Sequence, residues 1–274
     1  MPSYTWQSAV SGNWSSASLW NPTGVPGTGG GDTATINATG SAYTVTYDEA
    51  TETLNSLTIN SVNASLTFDP NDVLHVSGTT VLQAGTINIT GANELLSIGS
   101  SLTTSSGTTI NIGAGDGVTF SGATLGGLVD LTGTTSFGSS IPAITLNGTI
   151  ESTGGTGTVG FAGLSGSGVL EANGATLLVT GSLANASAQA VIANSASSVF
   201  ETTGQLYYGS TILISFLGAT GEFQYSNSTD SHVNYKVSGL NSGASATTPT
   251  NFLDLPTGGL TVSSGGTGTG TTGT

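Results

Sequence analysis

Few side chains in this sequence can do acid, base or metal chemistry. They are fifteen Asp and Glu, two His and one Lys, Lys236, with no Cys and no Arg. Glycoside hydrolysis needs two carboxyl groups about 5 to 9.5 Å apart. Asp69 with Asp72, or Asp116 with Asp130, are the pairs that adjacent strands could bring to such a separation. The structural reading is simpler: Asp69-Pro70-Asn71-Asp72 has the composition of an Asx-type turn, and the others read as solvated corner residues. Eliminative cleavage of an acidic sugar would also need cations to neutralise the uronate, and one Lys is a poor supply. His75 and His232 are far apart in the sequence and lack His or Cys neighbours, whereas a zinc-type site needs three or four converging ligands. Calcium is the one cofactor left open, because carboxylates and backbone carbonyls could ligate it. Yet Gly29-Gly30-Gly31-Asp32 and Gly113-Ala114-Gly115-Asp116 depart from the calcium-binding nonapeptide G-G-x-G-x-D and read as turns.

Two further look-alikes carry no chemistry. Gly155-Thr156-Gly157-Thr158-Val159-Gly160 satisfies G-x-G-x-x-G, but no helix follows to present its N-terminus to a phosphate. No G-x-S-x-G nucleophile elbow occurs. Sequons such as Asn13-Trp14-Ser15 and Asn37-Ala38-Thr39 are expected by chance in a chain with 47 Thr and 38 Ser. The residue pattern therefore predicts no catalytic residue, no metal ligand and no enzyme.

Charge narrows the partners. The net charge is -14, and charged residues make up 6% of the 274, against about 25% in an ordinary domain. Without Arg, and with a single Lys, the chain cannot make the many phosphate contacts that hold nucleic acid. Anionic membrane surfaces are excluded on the same ground. No stretch approaches the roughly 18 apolar residues of a membrane-spanning helix. Pro numbers only 7 and Gly follows no three-residue period, which excludes collagen. The opening MPSYTWQSAV has neither the basic nor the apolar region of a signal peptide, so export by another signal, or after removal of one, is the expectation.

Apolar residues recur as couplets at alternate positions: Leu57/Ile59, Leu66/Phe68, Leu74/Val76, Ile87/Ile89, Leu96/Ile98, Ile110/Ile112, Val118/Phe120 and Ile144/Leu146. Period two is the signature of strands with one buried face, and the Thr, Val and Ile between them suit a pleated surface. The couplets recur roughly every 8 or 9 residues, so three strands would make a coil of about 25 residues, within the usual range of structural repeats. Units such as Val76-Ser77-Gly78, Ile89-Thr90-Gly91 and Leu131-Thr132-Gly133 put a Gly where a strand would meet a tight corner. A parallel β-solenoid is the predicted fold. The rival, an antiparallel sandwich, fits the middle of the chain poorly: no aromatic lies between Phe68 and Phe120, and hairpin signals such as Asn147-Gly148 are sparse.

Aromatic residues gather at the two ends. Trp6, Trp14 and Trp20, the only tryptophans, crowd the N-terminus and are expected to plug an open end of the β core. Phe216, Phe223, Tyr225, Tyr235 and Phe252 belong to an aromatic-rich stretch over 199–262 that reads as a C-terminal β module. The predicted organisation is a cap with the first strands over 1–50, solenoid coils over 51–198, the β module over 199–262 and a flexible Gly/Thr linker over 263–274, with further sequence expected beyond it.

The series Trp6, Gly12, Trp14, Ala17, Trp20, Val25-Pro26, Asp32, Ala34 and Ile36, followed by Ser56-Leu57-Thr58-Ile59, resembles the opening of secreted bacterial β-solenoid surface proteins of the autotransporter-passenger and adhesin kind. Phe216-Leu217-Gly218-Ala219-Thr220-Gly221 and Phe252-Leu253-Asp254-Leu255-Pro256 resemble a related set whose members often carry a self-cleaving Hint domain after a Gly/Thr-rich linker. The resemblance implies a β-solenoid and an extracellular or cell-surface setting, and no activity. Taken together, the sequence reads as a structural subunit of an extracellular bacterial fibre, matrix or surface layer that self-assembles through β-edges and head-to-tail contacts. Its expected partner is itself. The alternatives are an adhesin for cell-surface polysaccharide, stacking sugars on the later aromatics, and, less favoured, a polysaccharide-degrading β-helix enzyme.

Overall fold

A computed structural model describes residues 2–138, 143–183, 187–193, 197–204, 212–218, 220–226, 235–239 and 251–254. The chain winds as a parallel β-solenoid whose strands stack coil upon coil into three ladders, here called faces A, B and C. Face A runs from Ser3–Trp6 through Asp32–Ile36 and the middle of Thr51–Phe68 to Gly163–Ser165. Face B begins at Gly12–Asn13 and Tyr43–Tyr47 and continues to Tyr235–Ser238. Face C begins at residues 51–54 and continues to Asn251–Asp254. Among the described residues every pairing is parallel except one, Ser3–Trp6 with Trp20–Asn21 at the N-terminal end. That arrangement is the predicted solenoid and not the sandwich.

Coil length follows from the register. Thr109 lies opposite Leu128, nineteen residues on, and Gln189 opposite Leu213, twenty-four on. Between the longer coils at the two ends (Ser3 lies opposite Thr33 and Gly221 opposite Asn251), the coils are tighter than the couplet spacing alone suggests, because the corner between faces A and B is almost free of loop. Strand Thr80–Ile89 turns it without breaking, at Gly85, where φ is +96°. A Cβ there would stand 2.5 Å from the Ser61 carbonyl and 2.6 Å from that of Ala64, so the corner takes only Gly.

All eight couplets point inward and are buried. They stack in columns, for instance Leu66, Ile87, Ile110, Val129 and Ile150 on face B, so each coil's apolar residues rest on those of the next. Strands in the 199–262 segment carry faces B and C onward: Val199–Thr202 pairs with Thr176–Val179, and Ile212–Phe216 with Gln189–Ile192. Phe216, Phe223 and Tyr225 are buried there, and Phe223 stacks on Phe200 at 5.8 Å. The side chains of Tyr235 and Phe252 lie outside the described residues, although both positions belong to strands. The linker expected over 263–274 lies outside them as well.

The N-terminal end is closed by the three tryptophans. Trp20 makes edge contacts with Trp6 at 4.9 Å and with Trp14 at 4.7 Å, and Trp14 meets Tyr47 at 5.5 Å, which in turn lies 5.1 Å from Phe68. Each indole N–H is used: Trp6 donates to the Val10 carbonyl, Trp14 to Pro26 and Trp20 to Trp14. The plug thus joins the first coils' core without a stranded donor. Replacing Trp14, fully buried, by Ala is expected to cost about 3 to 5 kcal/mol. A lowered thermal midpoint with an unchanged β-type circular dichroism spectrum below it is the expected result; an unaltered midpoint would show that the plug carries no stability.

Candidate functional site

The chemistry-bearing groups collect along one edge of the prism, where face B turns into face C. Asp72, Glu94 and Asp116 each precede a face C strand, at Val73–Val76, Leu95–Ile98 and Gly117–Thr119. They sit twenty-two residues apart, one per coil, because Val73 pairs with Leu95 and Leu95 with Gly117. The corners that hold them are alike. Asp69-Pro70-Asn71-Asp72, Gly91-Ala92-Asn93-Glu94 and Gly113-Ala114-Gly115-Asp116 each place a left-handed residue third, Asn71 at φ 70°, Asn93 at 60° and Gly115 at 85°. Asn and Gly are the residues that tolerate that conformation. The Asn93 side-chain amide donates to Asn71 Oδ1 at 3.1 Å, tying one corner to the next.

Burial makes this edge electrostatically unusual. Glu94 is 1% exposed and Asp116 3%. Asp116 Oδ1 accepts the Glu94 backbone N–H at 2.8 Å, but Asp116 Oδ2, both oxygens of Glu94 and Asp72 Oδ2 close no hydrogen bond of good geometry, the Gly91 and Thr90 amides standing near Glu94 without aligned bonds. Removing a carboxylate from water without a donor strongly disfavours its charged form. Burial therefore pushes Glu94 up to about 7, with the charges of Asp116 and Asp72 adding to the effect and the backbone amides of Gly91 and Thr90 offsetting part of it. Asp116 is raised by burial against the amides of Glu94 and Asn93. Asp72 is raised by burial and by Asp69, Asp48 and Glu49. Glu52, one coil earlier, is raised by burial, Glu49 and Asp32. Asp48 goes the other way: it accepts from Ser15 N–H and Oγ and from Asn13 Nδ2, and these bonds outweigh its desolvation.

The other sequence candidates separate cleanly. Asp69 and Asp72 share one turn, closed by Asp72 N–H on the Asp69 carbonyl at 3.2 Å. Asp116 and Asp130 are not brought together: Asp130 stands on face B in register with Glu151, which is in register with Glu171. That stack raises Glu151, chiefly by burial, with Asp130 and Glu171 contributing and Asn173 opposing. Its neighbours on the strand face are Leu128, Thr149 and Val169, so the carboxylates ride an open sheet face and not a walled cleft. His75 lies in strand Val73–Val76 opposite Thr53 and Ser97, and His232 is outside the described residues. Asp32, in the first look-alike, opens strand Asp32–Ile36 and accepts the Gly27 N–H at 3.0 Å, closing the turn before it. Thr156–Gly160, in the phosphate-loop look-alike, is a strand. Among the described residues no three acidic or imidazole side chains converge closely enough to chelate an ion. A depression of about 550 Å3 at the N-terminal end is lined by Thr5, Gln7, Asn21, Asn37 and Thr39 among others, with no titratable side chain.

Glu94 is the residue that motif searching misses. Its signal is periodic, not compositional: it lies midway between Asp72 and Asp116, at the same place in the same corner.

Comparison with known proteins finds no matching family model, no matching curated sequence and no matching solved structure. A functional reading therefore rests on the sequence and the geometry of the chain itself.

The acidic edge has a direct consequence for stability. Glu94 in the folded chain holds its proton to about 7, above its ordinary 4.5, so the fold binds the extra proton between those values. Stability from this group is therefore present at the acid end of that window and is lost as pH rises through 7. Thermal melts between pH 5 and 8 are expected to show a midpoint that falls with rising pH. Glu94→Gln should flatten that slope; a wild-type midpoint independent of pH would contradict the assignment.

Proposed function

We propose that the chain is a structural subunit of an extracellular bacterial fibre, matrix or surface layer, working as a stiff β-rod that associates with copies of itself. The observation that carries this reading is the continuity of the ladders: stacked coils with an apolar core running along the described coils, and side chains spent on corners and columns. Rods of this kind gain stiffness from backbone hydrogen bonds that run along the long axis. The extracellular setting rests on the family resemblance between Trp6 and Ile59 and in the 216–256 stretch.

Self-association is the natural partner choice for a sheet protein with so little charge to guard its edges. Natural sheets blunt exposed edges with Lys, Pro or very short strands. Here the only Lys, Lys236, sits far along face B. The head end relies on strands of two residues, Gly12–Asn13 and Trp20–Asn21, and on the Pro22 to Pro26 loop. Contacts at the head are then limited to a few hydrogen bonds, and the net charge of -14 opposes them. Association is accordingly a matter of screening and protonation. The adhesin alternative draws less support, because Phe216, Phe223 and Tyr225 are turned into the core and present no ring to a sugar.

Sedimentation and electron microscopy at high protein concentration test the proposal. Larger assemblies, as filaments or sheets, are expected to increase with salt and as pH approaches 4, where repulsion is screened or neutralised. A chain that stays monomeric under all of these conditions overturns it.

A further inference from the structure

Among the described residues, face A differs from the other two in having no charged side chain on its outer surface. Its outward positions form two columns, two residues apart along each strand, over eight successive rungs. One column is nearly uniform: Thr5, Thr35, Thr58, Thr103, Thr124 and Thr145 stand in register, interrupted once by Val81 and ended by Ser165. The parallel column carries Ser3, Thr33, Ser56 and Ser101 and then narrows to Gly122, Ala143 and Gly163. All of these positions are exposed or half-buried, as an outward row must be.

Three properties of this face bear on what it could bind. The first is spacing. Rungs repeat at about 4.7 to 4.9 Å, and the two columns stand about 6.7 Å apart along the strand. A double row of hydroxyls on that scale, present on the rungs of Ser3, Thr33, Ser56 and Ser101 and reduced to the single Thr column from Gly122 onward, has a spacing close to the oxygen repeat on faces of hexagonal ice. The second is rigidity. Thr is β-branched and stiff at χ1, and from Thr5 to Ser165 each member of the Thr column is paired with the next through a parallel ladder. Val81 does not spoil the grid, because Val has the shape of Thr and keeps the methyl. The third is chemistry. Each Thr offers a hydroxyl that both donates and accepts, beside a methyl that restricts the orientation of first-shell water. Along the Thr column only Thr145 and Ser165 hydrogen-bond each other. On face B the equivalent polar groups are tied together, Asn111 to Asn88, Asn88 to Ser65 and Thr153 to Asp130.

Charge supports the same assignment. Asp32, which opens a face A strand, is turned inward and buried. The other described acids lie at the B–C edge or on faces B and C, leaving the outside of face A neutral in a chain of charge -14. A face for a cation, a basic protein or an anionic polymer would not be the one surface cleared of charge. The two columns hold no aromatic residue, which argues against a sugar polymer, since no ring stands there to stack on a pyranose. An ordered lattice of water has neither charge nor a flat apolar ring, and asks only for a rigid, neutral, regularly spaced array of small amphipathic groups.

We propose that face A is an ice-binding surface: the Thr column and its companion order water into an ice-like layer that freezes the protein onto a growing crystal face. This does not depend on the chain being a fibre subunit, since it concerns the side of the rod and not its ends.

The test is partition of the purified chain into a slowly growing ice hemisphere, together with measurement of the gap between melting and freezing points and of ice recrystallisation. The expected result is enrichment in the ice and a measurable gap. Thr103→Tyr and Thr124→Lys, each placing a bulky or charged group in mid-column, should abolish most of the gap while leaving the circular dichroism spectrum and thermal midpoint unchanged. Thr109→Tyr, on the equivalent outer row of face B, should leave it intact. Val81→Thr, which completes the column, should retain or increase it. A wild-type chain that is excluded from ice, or a Thr109→Tyr loss equal to that of Thr103→Tyr in equally folded proteins, overturns the proposal. So does retention on crystalline cellulose or chitin without affinity for ice, which would give the face to a polysaccharide. Monomer under all assembly conditions with strong ice partition would separate this inference from the fibre reading.

Discussion

The structure depends on in-register stacking of one coil on the next. In a parallel ladder each strand's N–H and C=O groups are satisfied by the strands above and below, so a coil is complete only when another lies on either side. Constant register then forces like positions into columns, and a column can be only as good as its worst neighbour. Inward columns must be apolar, as Leu66, Ile87, Ile110, Val129 and Ile150 are. Corner columns must be turn formers, as Asn71, Asn93 and Gly115 are. Outward columns are free to be whatever the outside requires, which is why the three faces differ so much.

The same constraint explains the two places where the chain departs from low-cost choices. A stack has an end, and the first coil cannot be satisfied by a predecessor. Trp6, Trp14 and Trp20 fill that end with large side chains, and each indole N–H finds a carbonyl. At the B–C edge, corner residues from successive coils are held a strand spacing apart, so the acid of one turn is buried under the next coil and close to the next acid. Glu94 between Asp72 and Asp116 is the result. The column that stabilises turns by backbone geometry thus also buries carboxylates, and burial, with the neighbouring charges adding to it at Glu94, makes that edge sensitive to protonation.

Face A shows the opposite use of a column. Where the corner gathers charge, the face excludes it, and repeated Thr in constant register turns one weak hydroxyl contact into a grid. Multivalency of this kind needs rigidity more than affinity, since ordering loose groups would cost what their contacts return. The solenoid supplies that rigidity through the same backbone bonds that build its core.

Much of this could be read from residues alone. Alternation at Leu57/Ile59 through Ile144/Leu146 determined that these segments are strands with one buried face, because period two has no other packed solution. The Trp set marked an end that needed filling. Three-dimensional winding decided the rest. Coil length varies with each corner, being shorter from Thr109 to Leu128 than from Gln189 to Leu213, so the twenty-two-residue spacing of Asp72, Glu94 and Asp116 does not extend along the chain, and no single period aligns Thr5, Thr35, Thr58 and Thr124. Asp116 and Asp130 look like a pair and are not, while Asp130, Glu151 and Glu171, far apart in the chain, share a face. Which side chains meet across coils is set by the register between strands a full coil apart, and that register is fixed by backbone hydrogen bonds and corner geometry, neither of which any local stretch of sequence contains.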